Sequence, residues 1–271
     1  MKHNYIILCL ILFLVGFIIV WWLIVSNIEN MDQIANMDST QKYTAIIVEP
    51  REHKALLLVV QSVFDNFPGN QWSVIIYHGT KNAAFVQNLL DFPNALGKYK
   101  DRITLVNLQV DNMTIPEYSR LLVSKSFYDP IQTEMFLIFQ TDSIICKEYA
   151  HLITQFMEYD YVGAPWKPPG INNSLMGNGG LSLRRKSKML ELIDKCPYID
   201  ELPEDQFFCV PCSAVTMHMP TPEQAQAFSV EQIYTPYSFG VHKPWNYLTN
   251  EQMKTKQEHC SNLDKLVELQ K

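Results

Sequence analysis

The sequence of 271 residues predicts an α/β fold, a mostly parallel sheet flanked by helices and preceded by one N-terminal transmembrane helix. Three observations predict it. Four apolar runs, Tyr43–Glu49, Trp72–Tyr77, Ile103–Leu108 and Met135–Phe139, have strand length and little polar alternation, as strands buried on both faces do. Helical spacing lies between them: His53–Phe67, closed by Asp65-Asn66 and Pro68-Gly69, then Asn82–Leu90 and shorter pieces over Glu117–Phe127. Strands alternating with helices imply crossover connections and hence a parallel sheet. Lastly, Tyr5–Val25 carries no charge over 21 residues, enough to cross a hydrocarbon layer of ~30 Å.

The span reads as an anchor. A cleaved signal peptide usually has an apolar core of about 7–15 residues and a small-residue cleavage site, and nothing after Val25 reads as one. Trp21 and Trp22 sit near its far end, where amphipathic rings favour the membrane interface. Lys2 and His3 precede it, while Glu29, Asp32 and Asp38 follow before Lys42. The positive-inside tendency therefore leaves residues 1–4 as a short cytoplasmic tail, and the remainder lumenal (Golgi- or ER-like) or extracytoplasmic, a single-pass type II arrangement. Asn112-Met113-Thr114 and Asn172-Asn173-Ser174 are N-glycosylation acceptor patterns consistent with that side. Residues 26–41 read as a stem, 42–249 as the globular domain and 250–271 as a polar C-terminal helix or tail.

The net charge of −6, without a basic stripe, argues against nucleic acid as a partner. Of six cysteines, Cys9 lies in the span. Cys146, Cys196, Cys209, Cys212 and Cys260 remain, an odd number that cannot pair completely within one chain. Cys209-Val210-Pro211-Cys212 is a lone CxxC; buried or disulfide-bonded cysteines explain it better than zinc or redox chemistry.

After the fourth strand the pattern predicts a helix over Glu148–Met157, a short strand within Tyr159–Trp166, a Pro- and Asn-rich loop over Lys167–Met176, a strand over Gly177–Arg184 and a helix over Lys186–Lys195. Chemistry concentrates in four blocks. In Phe136–Ser143, FLIFQTDS, the apolar run stops at Gln140-Thr141-Asp142-Ser143, and in open α/β sheets ligands sit beyond the carboxyl ends of the strands. Asp142 there suits Mg²⁺ or Mn²⁺ carrying phosphate oxygens; as a plain structural residue it would cap the next turn. In Gly177-Asn178-Gly179-Gly180 the glycines permit close approach of a ligand, and alternation in the next strand could turn Ser182 and Arg184 toward a cleft; the structural alternative, which explains it less well, is a simple turn before an amphipathic strand.

Glu204-Asp205 follows Pro203 at a helix start, where acids gain from the dipole, or else one carboxylate faces the cleft as a general base. In His242-Lys243-Pro244-Trp245, His242 could complete a metal site, Lys243 could meet a diphosphate and Trp245 could form a wall; a histidine packed near a tryptophan is the structural alternative.

From Thr44 to Trp245 the chain resembles the GT-A-fold glycosyltransferases, with a Rossmann-type sheet, through the ordered blocks FQTDS, YDYVGAPW, GNGGLSLR, EDQFF, FSVE (228–231) and FGVHKPW. It looks most like a poorly characterised glycosyltransferase-like family with these blocks, and its ending is similar to the His and Lys-Pro-Trp ending of glycogenin-type enzymes. The resemblance implies Asp142 as the one acid of a reduced D-x-D signature and His242 as the C-terminal ligand of Mn²⁺ or Mg²⁺. It implies Asp205, or Glu204, as the base, with Gly179 and Gly180 bordering a sugar and Glu231 as a further cleft residue. Thr141-Asp142-Ser143 lacks the second acid, which implies a weak or dispensable metal.

The implied function is transfer of a sugar from a nucleoside-diphosphate sugar to a hydroxyl on a glycan, protein or lipid. The E-D motif favours inversion, whereas the HKPW ending resembles a retaining group. The alternative is a non-catalytic glycan- or nucleotide-binding membrane protein retaining the fold. A nucleotidyltransferase ranks last, because Glu49-Pro50-Arg51-Glu52-His53 after the first strand offers one arginine and no glycine.

Overall fold

The computed structural model describes residues 41–170, 174–200, 202–210 and 212–271. The expected span Tyr5–Val25, the stem up to residue 40 and Asn172 lie outside the described residues. Among those described, no helix is long and apolar enough to cross a membrane.

The first half alternates as expected: β1 (Tyr43–Val48), α1 (Leu56–Asn66), β2 (Trp72–His78), α2 (Ala83–Asp91), β3 (Ile103–Asn107), α3 (Ile115–Leu122) and β4 (Met135–Phe139). Two later strands, β6 (Tyr161–Gly163) and β7 (Leu181–Arg185), complete a mixed six-stranded sheet in the order β3-β2-β1-β4-β7-β6. The first four strands pair in parallel; β7 runs antiparallel to both β4 and β6. The apolar runs are explained by layering. Ala45, Ile47, Val74, Ile76 and Leu137 pack with α1 and α2 in one core, while Ile46, Ile75, Phe136 and Ile138 pack in a second with Leu122 of α3. That second core also takes residues from α4 (Lys186–Lys195) and α5 (Glu204–Cys209). Each such buried aliphatic side chain contributes about 1.5–3 kcal/mol.

Two local expectations change. The helix expected over Glu148–Met157 is 3₁₀, over Lys147–Phe156, because its buried residues Ala150, Ile153 and Phe156 recur every three residues, the 3₁₀ period. The strand within Tyr159–Trp166 shrinks to β6, since Pro165 has no N–H to donate to a ladder.

A second sheet, order β5-β9-β8, joins β5 (Ser143–Ile145), β8 (Ser229–Val230) and β9 (Gly240–His242). A short helix, α6 (Pro222–Ala225), precedes β8. The polar segment 250–271 belongs to the same compact unit as the rest from Gln41 onward. It folds as α7 (Asn250–Glu258) and α8 (Leu263–Leu269), seated by buried Leu263 and Leu266 and by a Cys146–Cys260 disulfide. Cys196 pairs with Cys212, and Cys209 is a buried free thiol. The two halves of the CxxC thus have separate fates, as packing and disulfide residues.

Candidate functional site

The chain goes from β1 outward to β2 and β3, then returns to place β4 on the other side of β1. This reversal opens a crevice at the carboxyl ends of β1 and β4, the usual position of a ligand in an open α/β sheet. The cavity there has a volume of about 380 Å³. Val48 at the end of β1 and Glu49–Arg51 after it enter the cavity, and Gln140–Asp142 follow β4; Gly179-Gly180, Glu204-Asp205 and His242-Lys243 form further wall, with the first turn of α3. That turn is fixed by a capping box between Thr114 and Glu117, with Pro116 in the first turn.

Strand register brings the distant blocks together. Antiparallel pairing of Phe139 with Leu181 sets the glycines before β7 beside the residues after β4. Pairing of Ser143 with His242 closes the sequence gap between Asp142 and His242, and Lys243 N–H donates to the Asp142 carbonyl at 2.8 Å. Pairing of Val230 with Val241 then carries Glu231 to the far side of the imidazole.

In this corner His242 Nε2 lies 3.2 Å from Asp142 Oδ1 and 3.2 Å from Gln140 Oε1. Its Nδ1 lies 3.2 Å from Glu231 Oε1, which also accepts from Asn178 Nδ2 at 3.0 Å. The two carboxylate contacts are close but poorly aligned: Asp142 Oδ1, His242 Nδ1 and Glu231 Oε2 are buried without a hydrogen bond. Burial raises the pKa of Asp142, but His242 and Lys243 outweigh it and the net shift is downward. Burial lowers that of His242, while Asp142 and Glu231 outweigh it and the net shift is upward. The glycine before β7 is required here, because a Cβ on Gly180 would collide with the His242 ring.

The opposite wall holds the acid pair. Arg184 and Glu204 form a buried bidentate pair, Nη1 to Oε2 at 2.7 Å and Nη2 to Oε1 at 3.1 Å, with the guanidinium 5.0 Å from the Tyr161 ring centroid and 5.3 Å from that of Phe208. Asp205 has no such cation. Its Oδ2 accepts from Gly179 N–H at 3.3 Å and its Oδ1 from Gln206 N–H at 2.8 Å. Burial, then the neighbouring Glu204 charge, raise its pKa to about 6. A third corner is built by Glu49, which binds Arg51 through Nε and Nη2, both at 2.8 Å, and accepts from the Thr141 hydroxyl at 3.2 Å.

Asp142, Gly179, Gly180, Glu204, Asp205, His242 and Lys243, all marked in the sequence, line one cleft. Four others do not. Ser182 and Arg184 are fully buried: Arg184 Nε donates to Ser182 Oγ at 2.9 Å, so both hold the wall from behind. Glu231 sits behind His242, and Trp245 packs half-buried against the larger core. Glu204 reaches the cleft with both oxygens occupied by Arg184, leaving Asp205 as the acid of the pair without a cationic partner. Gln140, Tyr118 and Arg51 were missed as site residues. For Gln140 a signal existed, since it directly follows β4 and stands two residues before Asp142.

Among the described residues no three His, Cys, Asp or Glu side chains are grouped as a metal site. The unpartnered Asp142 oxygen beside His242 Nε2 nevertheless fits a hard or borderline divalent cation, which commonly takes its remaining ligands from phosphate and water.

Fold and cleft define an α/β protein with an acidic ligand crevice at the sheet's switch point. The chain belongs to the family described as "Protein of unknown function (DUF5672)", which matches residues 102–242 and so takes in the cleft residues from Asn112 to His242, leaving out Val48–Arg51 and Lys243. No curated protein matches the chain. Among solved structures it is similar to the mannosyltransferase PcManGT from Pyrobaculum calidifontis in complex with GDP-Man and Mn²⁺, at 12% identity and a TM-score of 0.44 over 63% of this chain; it spans 51% of that protein's length. It is also similar to HddC from Yersinia pseudotuberculosis complexed with GMP-PN, at 11% identity and a TM-score of 0.43, covering 80% of this chain and 99% of that one.

Proposed function

We propose that the protein is a glycosyltransferase that moves a sugar from a nucleoside-diphosphate sugar to a hydroxyl acceptor, anchored by Tyr5–Val25 with its globular domain on the lumenal or extracytoplasmic side. The observation that carries this reading is the meeting, in one cleft, of a half-buried Asp142 beside a buried His242 and of an unclamped Asp205.

In this reading Asp205 accepts the proton of the acceptor hydroxyl as that oxygen bonds to the anomeric carbon and the bond to the nucleoside diphosphate breaks, which favours inversion. A raised pKa near operating pH is what a general base requires. Asp142 and His242 would hold Mn²⁺ or Mg²⁺, which when bound neutralises the leaving diphosphate. Lys243 and Arg51 add positive charge at the cleft. Gly179 and Gly180 let the sugar approach the backbone. Glu204, Ser182 and Arg184 set the wall that carries Asp205.

The test is release of nucleotide from a panel of UDP- and GDP-sugars, with and without Mn²⁺, by wild type, Asp142→Ala and Asp205→Asn. Turnover that both substitutions leave intact would refute the site. A non-catalytic, donor-binding reading draws on the single acid of Thr141-Asp142-Ser143; it predicts donor binding with no turnover by wild type.

A further inference from the structure

We infer that Gln140 is a third, uncharged oxygen donor to the divalent cation, standing where a second acid is absent. The inference rests on the metal reading of the Asp142–His242 corner. Three atoms converge there: His242 Nε2 is 3.2 Å from Gln140 Oε1 and 3.2 Å from Asp142 Oδ1. Gln140 is the residue after β4, and Asp142 follows two residues on; both side chains reach the same crevice. The backbone at Gln140 is pinned, with its N–H donating to Ser143 Oγ at 2.9 Å and its carbonyl accepting from the same hydroxyl at 2.8 Å. Its side chain meets His242 Nε2 at 3.2 Å and, on its other side, the Tyr118 hydroxyl, whose interaction with the amide opposes the burial that raises the tyrosine's pKa.

An amide oxygen is an ordinary ligand for Mg²⁺, Mn²⁺ or Ca²⁺, and affinity for such cations is tuned by how many ligands are charged. A Gln140–Asp142–His242 set has one formal negative charge. Such a set would bind a cation loosely by itself, and a diphosphate would supply much of the charge that holds the ion. Glu231 Oε1 lies 3.2 Å from His242 Nδ1, close behind the imidazole but not aligned as a hydrogen bond.

The experiment is a titration of the full-length protein in detergent with Mn²⁺ alone, read as loss of the free-ion electron paramagnetic resonance signal. Wild type, Gln140→Glu and Gln140→Leu are compared, with thermal unfolding as the control for folding. We expect Gln140→Glu to tighten Mn²⁺ binding about tenfold or more and Gln140→Leu to weaken it about 10–100-fold, at least the loss seen when a supporting partner of a ligand is removed. Equal binding by all three overturns the role of Gln140 and leaves the Asp142–His242 site standing. Weakening by Leu without tightening by Glu also overturns it, since that pattern marks a packing residue. No Mn²⁺ binding by wild type refutes the metal reading itself.

Discussion

Arg184 and Glu204 meet through two hydrogen bonds of 2.7 and 3.1 Å with neither side chain open to solvent, and this pair decides which acid of the Glu-Asp motif is free to act. Removing one partner of a buried ion pair leaves an uncompensated charge and typically costs 3–5 kcal/mol, whereas replacing both with apolar groups is often neutral. We expect Glu204→Gln and Arg184→Met each to lose about 3–5 kcal/mol in urea unfolding, and the Arg184→Met/Glu204→Leu double variant to recover much of it. Equal losses for the double variant and the sum of the singles would show that the pair does not act as a unit.

Asp205→Asn separates catalysis from folding. With the wall intact, donor binding should persist while turnover falls by about 10²–10⁴, the usual contribution of a general base. Turnover by wild type should rise as pH increases through about 6, where Asp205 gives up its proton. Stability should move the other way. A carboxyl with a raised folded-state pKa contributes stability that is fully present below its unfolded pKa and lost as pH rises through the folded one. The Asn variant should therefore gain on wild type between pH 4 and pH 7, with an upper limit of about 3 kcal/mol for this shift. Denaturant titrations at pH 4, 6 and 8 measure it.

How far the site could be read from the sequence depends on the range of the interaction involved. The parallel strands were legible because burial on both faces leaves an unbroken apolar run, and Asp142 was legible because such a run ends at it. Glu204 and Arg184 looked like cleft residues because local alternation cannot show that their charges cancel across twenty residues. Glu231 looked like a contact for the same reason: its place behind His242 follows from the β8–β9 register, which no local pattern encodes. The segment 250–271 read as a polar helix or tail; its helices are there, but its attachment to the domain was hidden because its polar residues outnumber the few, Cys260, Leu263 and Leu266, that anchor it.

Gly180→Ala tests the closeness of β7 to the imidazole. Its Cβ would meet the His242 ring, and the ring, held by β9 pairing and by Glu231, has little room to retreat. We expect a loss of about 1–3 kcal/mol, as for overpacking, together with weaker Mn²⁺ binding. Gly69→Ala is the control, because open space surrounds that position and any loss there comes from its positive φ alone.

Lys243 occupies the left-handed region at φ 32° and ψ 49° immediately before Pro244, a conformation that costs a non-glycine residue roughly 1 kcal/mol or more. Lys243→Gly removes the amine and relieves the backbone; Lys243→Ala removes the amine and keeps the strain. If the lysine is there to meet the diphosphate, both variants should raise the donor KM alike, while the Gly variant melts higher than the Ala variant. Equal melting temperatures would deny the strain, and an unchanged KM would deny the contact.

Lys256 is fully buried, with its amine donating to Ser238 Oγ at 2.7 Å and to the Pro236 carbonyl at 3.1 Å. Ser238 in turn donates to the Gly240 carbonyl at 2.7 Å, at the start of the strand that presents His242. Burial lowers the Lys256 pKa to about 7, with Glu148 opposing. Because the unfolded lysine holds its proton to a higher pH than the folded one, stability should rise as pH increases from about 7 toward 10, by no more than about 1.4 kcal/mol per pH unit. Lys256→Met keeps the length and removes the titration, so it should abolish this slope. It also breaks the link to Ser238, so it should loosen β9, and faster amide hydrogen exchange at Val241 and His242 would register that. A wild-type slope that survives in Lys256→Met would assign it to another group and leave the amine with a packing role alone.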